Sequence, residues 1–253
     1  MIDTAAIVAA GFGSRLNELT AAMPKGFLRI GGQSLIERSI QSLLDFGIHR
    51  IIIGTGYQSE HYEALAAQMP ELTTVKSDVY ATTGSMYTLW NMRQVIDRPF
   101  LLLESDLLYE PRALALLLAD ARPDVVLASD ATHSGDEVYI ETDDADGLVA
   151  MSKDRTQLGR VDAELVGITK ISLETYAGMC RTMEAHLETR PKLDYEYALV
   201  DVAKTRPVHV LRADGLAWCE VDDAQHLRRA NEQILPRVEA GRRARREAAA
   251  SFV

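Results

Sequence analysis

The sequence predicts an α/β protein built on an open, mostly parallel, doubly wound sheet with an antiparallel elaboration. Two observations carry this. Through residue 130, short apolar runs alternate with amphipathic stretches of helical period, as strands buried under helices on both faces do. After residue 130 the pattern changes: "EVYIET" and "LVAMSKD" flank the turn residues "DDADG", which reads as an antiparallel hairpin.

In order, "AAIVAA" is a short buried strand. "FLRI" and a Gly31-Gly32 turn lead into "QSLIERSIQSLLDFG", an amphipathic helix ending at Gly47. "HRIIIGTG" is a strand, and "SEHYEALAAQM" a helix with Ser59 as its expected N-cap. "LTTVKS" is a strand, "GSMYTLWNMRQVI" a helix, "PFLLLESD" a buried strand, "PRALALLLAD" a helix and "DVVLASD" a strand. Beyond the hairpin, "ELVGITKIS" is a strand followed by a helix to about Leu187, and "DYEYALVDVAK" is helical. "PVHVLRA" and "LAWCEV" are strands, and "DAQHLRRANEQIL" closes the fold as a helix. The expected organisation is one domain over 1–240. Residues 1–130 form the first half, 131–213 an elaboration on it and 214–240 a return to the core, with 241–253 a charged tail that is a solvated helix or a frayed end.

With 253 residues, 47% of them hydrophobic, the chain can bury a sizeable core. Its net charge of -10 argues against a nucleic-acid surface. No apolar run of about 18 residues suggests a membrane span, and no signal peptide is visible at the N-terminus. Cys180 and Cys219 lack metal spacing and suit a reducing compartment, so the expected location is cytoplasmic. A homodimer is left open.

The segment "IVAAGFGSRLNELTAAMPKGFL" raises the question of function. It is not a P-loop, because no Gly-Lys-Ser/Thr follows the glycines. It is not the dinucleotide fingerprint, because Leu16 stands at the third glycine position. Small residues from Ala9 and Ala10 through Gly11, Gly13 and Ser14 let backbone N–H groups approach phosphate oxygens closely. Arg15 adds a bidentate contact and Lys25 a compact charge. A tight strand–helix turn with two surface cations describes the same residues.

In "LLLESDLLYE", Asp106 comes just past a strand's carboxyl end, where ligands sit in open parallel sheets. A carboxylate there either holds Mg²⁺ against a phosphate or caps a helix. In "WCEVDDAQHL", Asp222 is expected on the metal and Asp223 on the helix cap.

These residues resemble a known family. "AAGFGSRL…MPKGFL" is similar to the signature of sugar-phosphate-type nucleotidyltransferases. "IGTGYQSEHYEAL", "TTGSMYTL", "LLLESDLLYE", "SGDEVYIE", "ELVGITKIS" and "DYEYAL" look like the cytidylyltransferases that activate 2-aminoethylphosphonate, relatives of the phosphocholine cytidylyltransferases. Ala10 departs from the glycine common there but is still small. The resemblance covers about residues 4–236 and implies a Rossmann-like nucleotidyltransferase sheet, with 1–130 as its nucleotide-binding half and 131–213 as its acceptor-binding elaboration.

It also implies a Mg²⁺-dependent reaction of CTP with 2-aminoethylphosphonate, giving CMP-aminoethylphosphonate and pyrophosphate. Arg15 and Lys25 would be catalytic, and Asp106 and Asp222 would hold the metal. Ala9, Ala10, Gly11, Gly13, Thr83, Gly84, Ser85, Glu104 and Ser105 would bind the nucleotide. A primary ammonium wants carboxylates, whereas a trimethylammonium prefers an aromatic cage. The second half supplies carboxylates at Asp130, Asp136, Glu137, Glu164, Asp194 and Glu196, and rings at Tyr139, Tyr195, Tyr197 and Trp218. Of these Glu164, Glu196 and Tyr139, together with Lys153, are taken as the acceptor side. Open alternatives are the same chemistry on phosphocholine or a sugar phosphate, and a silent nucleotide-binding regulator. The histidines show no metal-like spacing.

Overall fold

A computed structural model describes residues 2–13, 15–16 and 22–250, omitting the side chains of 248–250. Ser14 of the glycine turn and the last three residues of the tail lie outside the described residues. The first half runs β1 (Thr4–Ala9), β2 (Arg29–Ile30), β3 (Gln33–Ser34), α1 (Leu35–Asp45), β4 (Arg50–Thr55), α2 (Glu60–Ala66) and β5 (Leu72–Lys76). It continues with α3 (Ser85–Asn91), β6 (Phe100–Glu104), β7 (Leu107–Tyr109), α4 (Arg112–Ala119) and β8 (Val125–Ser129). The second half runs β9 (Tyr139–Thr142), β10 (Leu148–Ser152), β11 (Ala163–Ile171), α5 (Leu173–His186), α6 (Tyr195–Ala203), β12 (His209–Arg212) and β13 (Trp218–Glu220). It closes with α7 (Ala224–Arg229), a π-helical turn over Ala230–Ile234, and α8 (Leu235–Ala250).

The main sheet has nine strands. β5, β4, β1 and β6 are parallel neighbours in that order. β11 then runs antiparallel between β6 and β8, and β12 lies parallel on β8. The hairpin of β9 and β10 joins through β9, which pairs with the start of β11. The predicted α/β class and the hairpin are therefore present, and strands from both halves share one sheet.

Helices cover both faces, which is why the strands read as continuous apolar runs. Ala5 and Ile7 of β1 pack in one cluster with Ile36, Ile40 and Leu43 of α1 and Leu114 and Leu117 of α4. Ala6, one residue out of phase, packs in the other with Met86 and Leu89 of α3, Met179 of α5 and Ala198 of α6. A third cluster joins Leu16, Ile30 and Leu108 to Cys219, Ile234 and Val238, so the last helices clamp the short β7–β13 ladder.

Side chains cap α1, α5 and α7 but not α2, α3, α4 or α6. Ser34 caps α1 in a reciprocal box: Glu37 N donates to Ser34 Oγ at 3.3 Å, and Ser34 N donates to Glu37 Oε2 at 3.1 Å. Ser59 does not cap α2; it is helical and its side chain makes no cap bond. α3 is also shorter than expected, passing into a 3-10 turn at Met92–Gln94. The tail is a largely exposed helix with two anchors. α8 lies back on α1, where Arg242 donates to Ser42 Oγ at 2.9 Å and Arg245 donates to Asp45 O at 3.0 Å. The latter satisfies a carbonyl that the end of α1 leaves open. Among the described residues, no helix is long and apolar enough to cross a membrane.

Candidate active site

The parallel strands β1 and β6 end side by side, and a turn leaves each. The turn after β1 carries Ala10, Gly11 and Gly13; the turn after β6 carries Ser105 and Asp106. β13 pairs antiparallel with β7, with Cys219 opposite Leu108 and Glu220 opposite Leu107. That register carries the chain after β13 back toward the Ser105–Asp106 turn and delivers Asp222 there. Lys25 comes from a 3-10 turn, Lys25–Phe27, whose Phe27 packs edge-on against buried Tyr62 at 5.0 Å.

These segments surround a cavity of about 390 Å³. Ala9, Ala10, Gly11, Gly13, Arg15, Lys25, Thr83, Gly84, Ser85, Glu104, Ser105, Asp106, Lys153, Glu196 and Asp222 all line it. Two acceptor-side candidates do not. Glu164, 2% exposed, spends its carboxylate on Thr132, accepting from N at 2.6 Å and from Oγ1 at 2.7 Å. Tyr139 donates its hydroxyl to Glu137 at 3.3 Å. Both belong to the β9–β11 junction, where Glu164 pairs with Tyr139.

Asp106 and Asp222 meet on one cation: the Lys25 ammonium hydrogen-bonds to both carboxylates. Arg15 pairs with the other oxygen of Asp222 at 3.0 Å and approaches Asp136 at 3.6 Å. Burial opposes charge on Lys25, but Asp106 and Asp222 outweigh it and hold the ammonium above the ordinary lysine range. Burial likewise works to raise Asp222; Asp136, Lys25 and Arg15 override it and hold its carboxyl well below the usual carboxylate range. Two carboxylates that converge on one cation, with hard oxygen donors, fit a Mg²⁺ ion. Asp136, Asp222 and His226 form a second group whose ligand atoms lie within 4.8 Å of one another.

Further in, the cavity is acidic. Among the described residues six carboxylates line it (Glu104, Asp106, Asp194, Glu196, Glu220 and Asp222) against three cations, Arg15, Lys25 and Lys153. Burial, then Asp106, pushes Glu104 up to about 7, where it accepts from Tyr195 Oη at 2.6 Å. Burial, then Glu104 and Asp194, pushes Glu196 up to about 8. Glu196 is 7% exposed, and its Oε2 has no hydrogen-bond partner among the described residues. Burial disfavours charge on Lys153, but Glu196, Asp194, Glu220 and Glu104 more than compensate and keep it a cation.

The 83–85 segment is held from the opposite wall. Gly84 lets the 191–193 loop approach closely: a Cβ there would lie 2.4 Å from Leu193 O. Gly84 N donates to Pro191 O at 2.9 Å. Ser85 Oγ accepts from Tyr195 N at 2.9 Å and donates to Asp194 at 3.2 Å. Thr83 Oγ1 donates to Val79 O at 3.0 Å, so neither hydroxyl serves as a helix cap.

Asp223 does cap its helix, accepting from Gln225 N and His226 N, both at 2.8 Å. His226, given no role from sequence, is buried; Nδ1 accepts from Asp222 N at 3.4 Å and Nε2 meets Ser134 O at 3.1 Å. It ties the 134–136 loop to Asp222. Sequence reasoning also missed Tyr80, Thr88 and Glu220. For Glu220 a signal existed: spaced two residues from Asp222 along extended chain, it points to the same side.

The family model of the MobA-like NTP transferase domain matches residues 5–168. The chain is 28% identical over 247 residues to a CMP-5'-(3-aminopropyl)phosphonate synthase of Streptomyces rubellomurinus, covering 92% of this chain and 39% of that protein. It is 26% identical over 193 residues to a 2-aminoethylphosphonate cytidylyltransferase of Lancefieldella rimae, covering 73% and 74%. Among solved structures, the inositol-1-phosphate CTP transferase of T. maritima superposes with a TM-score of 0.76 at 17% identity, covering 92% of this chain and 98% of that one. The CTP:phosphocholine cytidylyltransferase of Streptococcus pneumoniae gives 0.73 at 22%, covering 91% and 99%. The chain thus spans well under half of one relative and about three quarters of the other.

Proposed function

The chain belongs to the MobA-like NTP transferase family and is a nucleotidyltransferase; from that premise we propose that it transfers CMP from CTP to 2-aminoethylphosphonate. An oxygen of the phosphonate attacks the α-phosphorus of CTP, the bond to the β-phosphate oxygen breaks, and pyrophosphate leaves. The acceptor is already an anion, so no general base is needed to make the nucleophile. The obstacle is bringing two anions together, and catalysis is positioning plus charge neutralisation.

Each residue has a part in that. The small-residue turn Ala9–Gly11 and Gly13 presents backbone to the nucleotide. Arg15 holds the departing pyrophosphate, and Lys25 neutralises charge at the α-phosphate. Thr83, Gly84 and Ser85 lie on the base side, with Glu104 and Ser105 beneath. Asp106 and Asp222 would hold Mg²⁺, which supplies further charge neutralisation at the phosphates when bound. Lys153 takes the phosphonate.

The observation that carries the acceptor assignment is the buried Glu196 Oε2, which has no hydrogen-bond partner among the described residues, with Asp194 beside it. An unsatisfied buried carboxylate is costly, and an ammonium is its natural complement. A trimethylammonium has no N–H to give and needs several ring faces. The rings lining the described cavity are Tyr80 and Tyr195, and Tyr195 spends its hydroxyl on Glu104. This favours a primary aminoalkylphosphonate over phosphocholine. The relatives named for aminopropyl- and aminoethylphosphonate chemistry support the same class. The test is ³¹P NMR of CTP, Mg²⁺ and 2-aminoethylphosphonate with the protein. A new coupled pair of phosphonate and phosphate resonances, with free pyrophosphate, is expected; unchanged substrate spectra would refute the proposal.

A further inference from the structure

Phe12 is 44% exposed and is the one aromatic among the large apolar side chains left this open in the described residues. It stands between Gly11 and Gly13, both in the cavity wall. Its ring is braced by two others, with centroids 5.2 Å from Tyr57 and 5.1 Å from Tyr80, and Tyr80 itself lines the cavity. Three chain segments are tied together to build this group. Tyr57 N donates to Ala10 O at 3.1 Å, fastening the end of β4 to the turn after β1. Gly56 leaves room for the third segment, since a Cβ there would lie 2.6 Å from Tyr80 and 2.9 Å from Ala10 O. A phenylalanine ordinarily gains by burial; here the ring is instead left open beside Tyr80, and Tyr80 is the member of the group that lines the cavity.

We propose that Phe12, braced by Tyr57 and Tyr80, is an aromatic wall against which the nucleobase of the bound nucleotide packs. Aromatic faces accept planar π-systems in offset or edge contact whatever their hydrogen-bonding pattern. The wall therefore supplies affinity for the base, while the polar 83–85 segment is left to choose among bases. The inference rests on the cytidylyltransferase reading for which nucleotide binds, not for the wall itself.

The test compares binding of CTP and of inorganic tripolyphosphate, each with Mg²⁺, by calorimetry. Phe12→Ala should weaken CTP about tenfold, within the range for losing one base–ring stack, and tripolyphosphate less than twofold, with an unchanged melting temperature. Phe12→Trp should keep CTP affinity, and its indole emission should respond to CTP but not to tripolyphosphate. Equal losses for both ligands would make Phe12 a shaper of the phosphate turn and overturn the proposal. Unchanged CTP binding in Phe12→Ala would overturn it too. If UTP or a purine nucleotide shows the Phe12 dependence while CTP fails to bind the unaltered protein, the wall stands and the cytidine assignment falls.

Discussion

Lys25 holds two carboxylates from distant parts of the chain, and its side chain is 13% exposed. Lys25→Met removes the shared cation and leaves Asp106 and Asp222 facing each other. Deleting one partner of a buried ion pair costs about 3–5 kcal/mol. The lower end applies here, because Arg15 remains on Asp222 at 3.0 Å. At about 2–4 °C per kcal/mol for a chain this long, the melting temperature should fall by roughly 6–12 °C. A divalent ion taking the place of the ammonium should reverse much of that. Saturation at 100 times Kd contributes about 2.7 kcal/mol, and the bare pair binds the ion without first displacing Lys25. Differential scanning calorimetry with EDTA or millimolar Mg²⁺ reads both effects. Mg²⁺ should raise the variant's melting temperature more than that of the unaltered protein. A variant that melts with the unaltered protein and ignores Mg²⁺ would show that the carboxylates do not form a shared cation site.

Other outcomes follow from the same geometry. Asp106→Asn should lower pyrophosphate release at least a hundredfold, on the order of 3 kcal/mol in the transition state, while circular dichroism stays unchanged; normal turnover would remove Asp106 from the mechanism. Glu196→Gln should raise KM for 2-aminoethylphosphonate about tenfold and leave KM for ethylphosphonate, which lacks the amine, nearly the same; equal effects would separate Glu196 from the amine. Glu196 is raised to about 8 by burial, Glu104 and Asp194, so at pH 7 it carries a proton that an arriving ammonium must expel. Acceptor affinity should therefore rise with pH toward 8, by up to about tenfold per unit. Calorimetry at pH 7 in two buffers of different ionisation enthalpy should report proton release on binding, and none would refute the assignment. The same raised pKa costs folding stability as pH climbs from the ordinary carboxylate range to 8, because the native state then holds a proton that the unfolded chain has lost.

Much of this was legible in the sequence because the signals are local. Alternating apolar strands and amphipathic helices gave the layered sheet, and the "DDADG" turn gave the hairpin. Asp222 and Asp223 could be divided between site and cap because one residue must serve the helix. What was not legible depends on register and contact. The short strand Leu107–Tyr109 has no pattern of its own, yet its pairing with Trp218–Glu220 brings Asp222 to Asp106. Glu164 has the same chemistry as Glu196, yet its carboxylate is taken up by Thr132 and does not line the cavity, a contact that only the folded chain reveals. The arginines of the tail read as solvated until α1 presents its open carbonyl and Ser42 to them.

The central claim is tested most directly by a continuous pyrophosphate-release assay. It crosses CTP, UTP, ATP and GTP with 2-aminoethylphosphonate, phosphocholine and phosphoethanolamine, with Mg²⁺ or EDTA. Rapid release confined to CTP with 2-aminoethylphosphonate, and lost in EDTA, is the predicted result. Faster release with phosphocholine, or no acceptor-dependent release with any nucleotide, would contradict it.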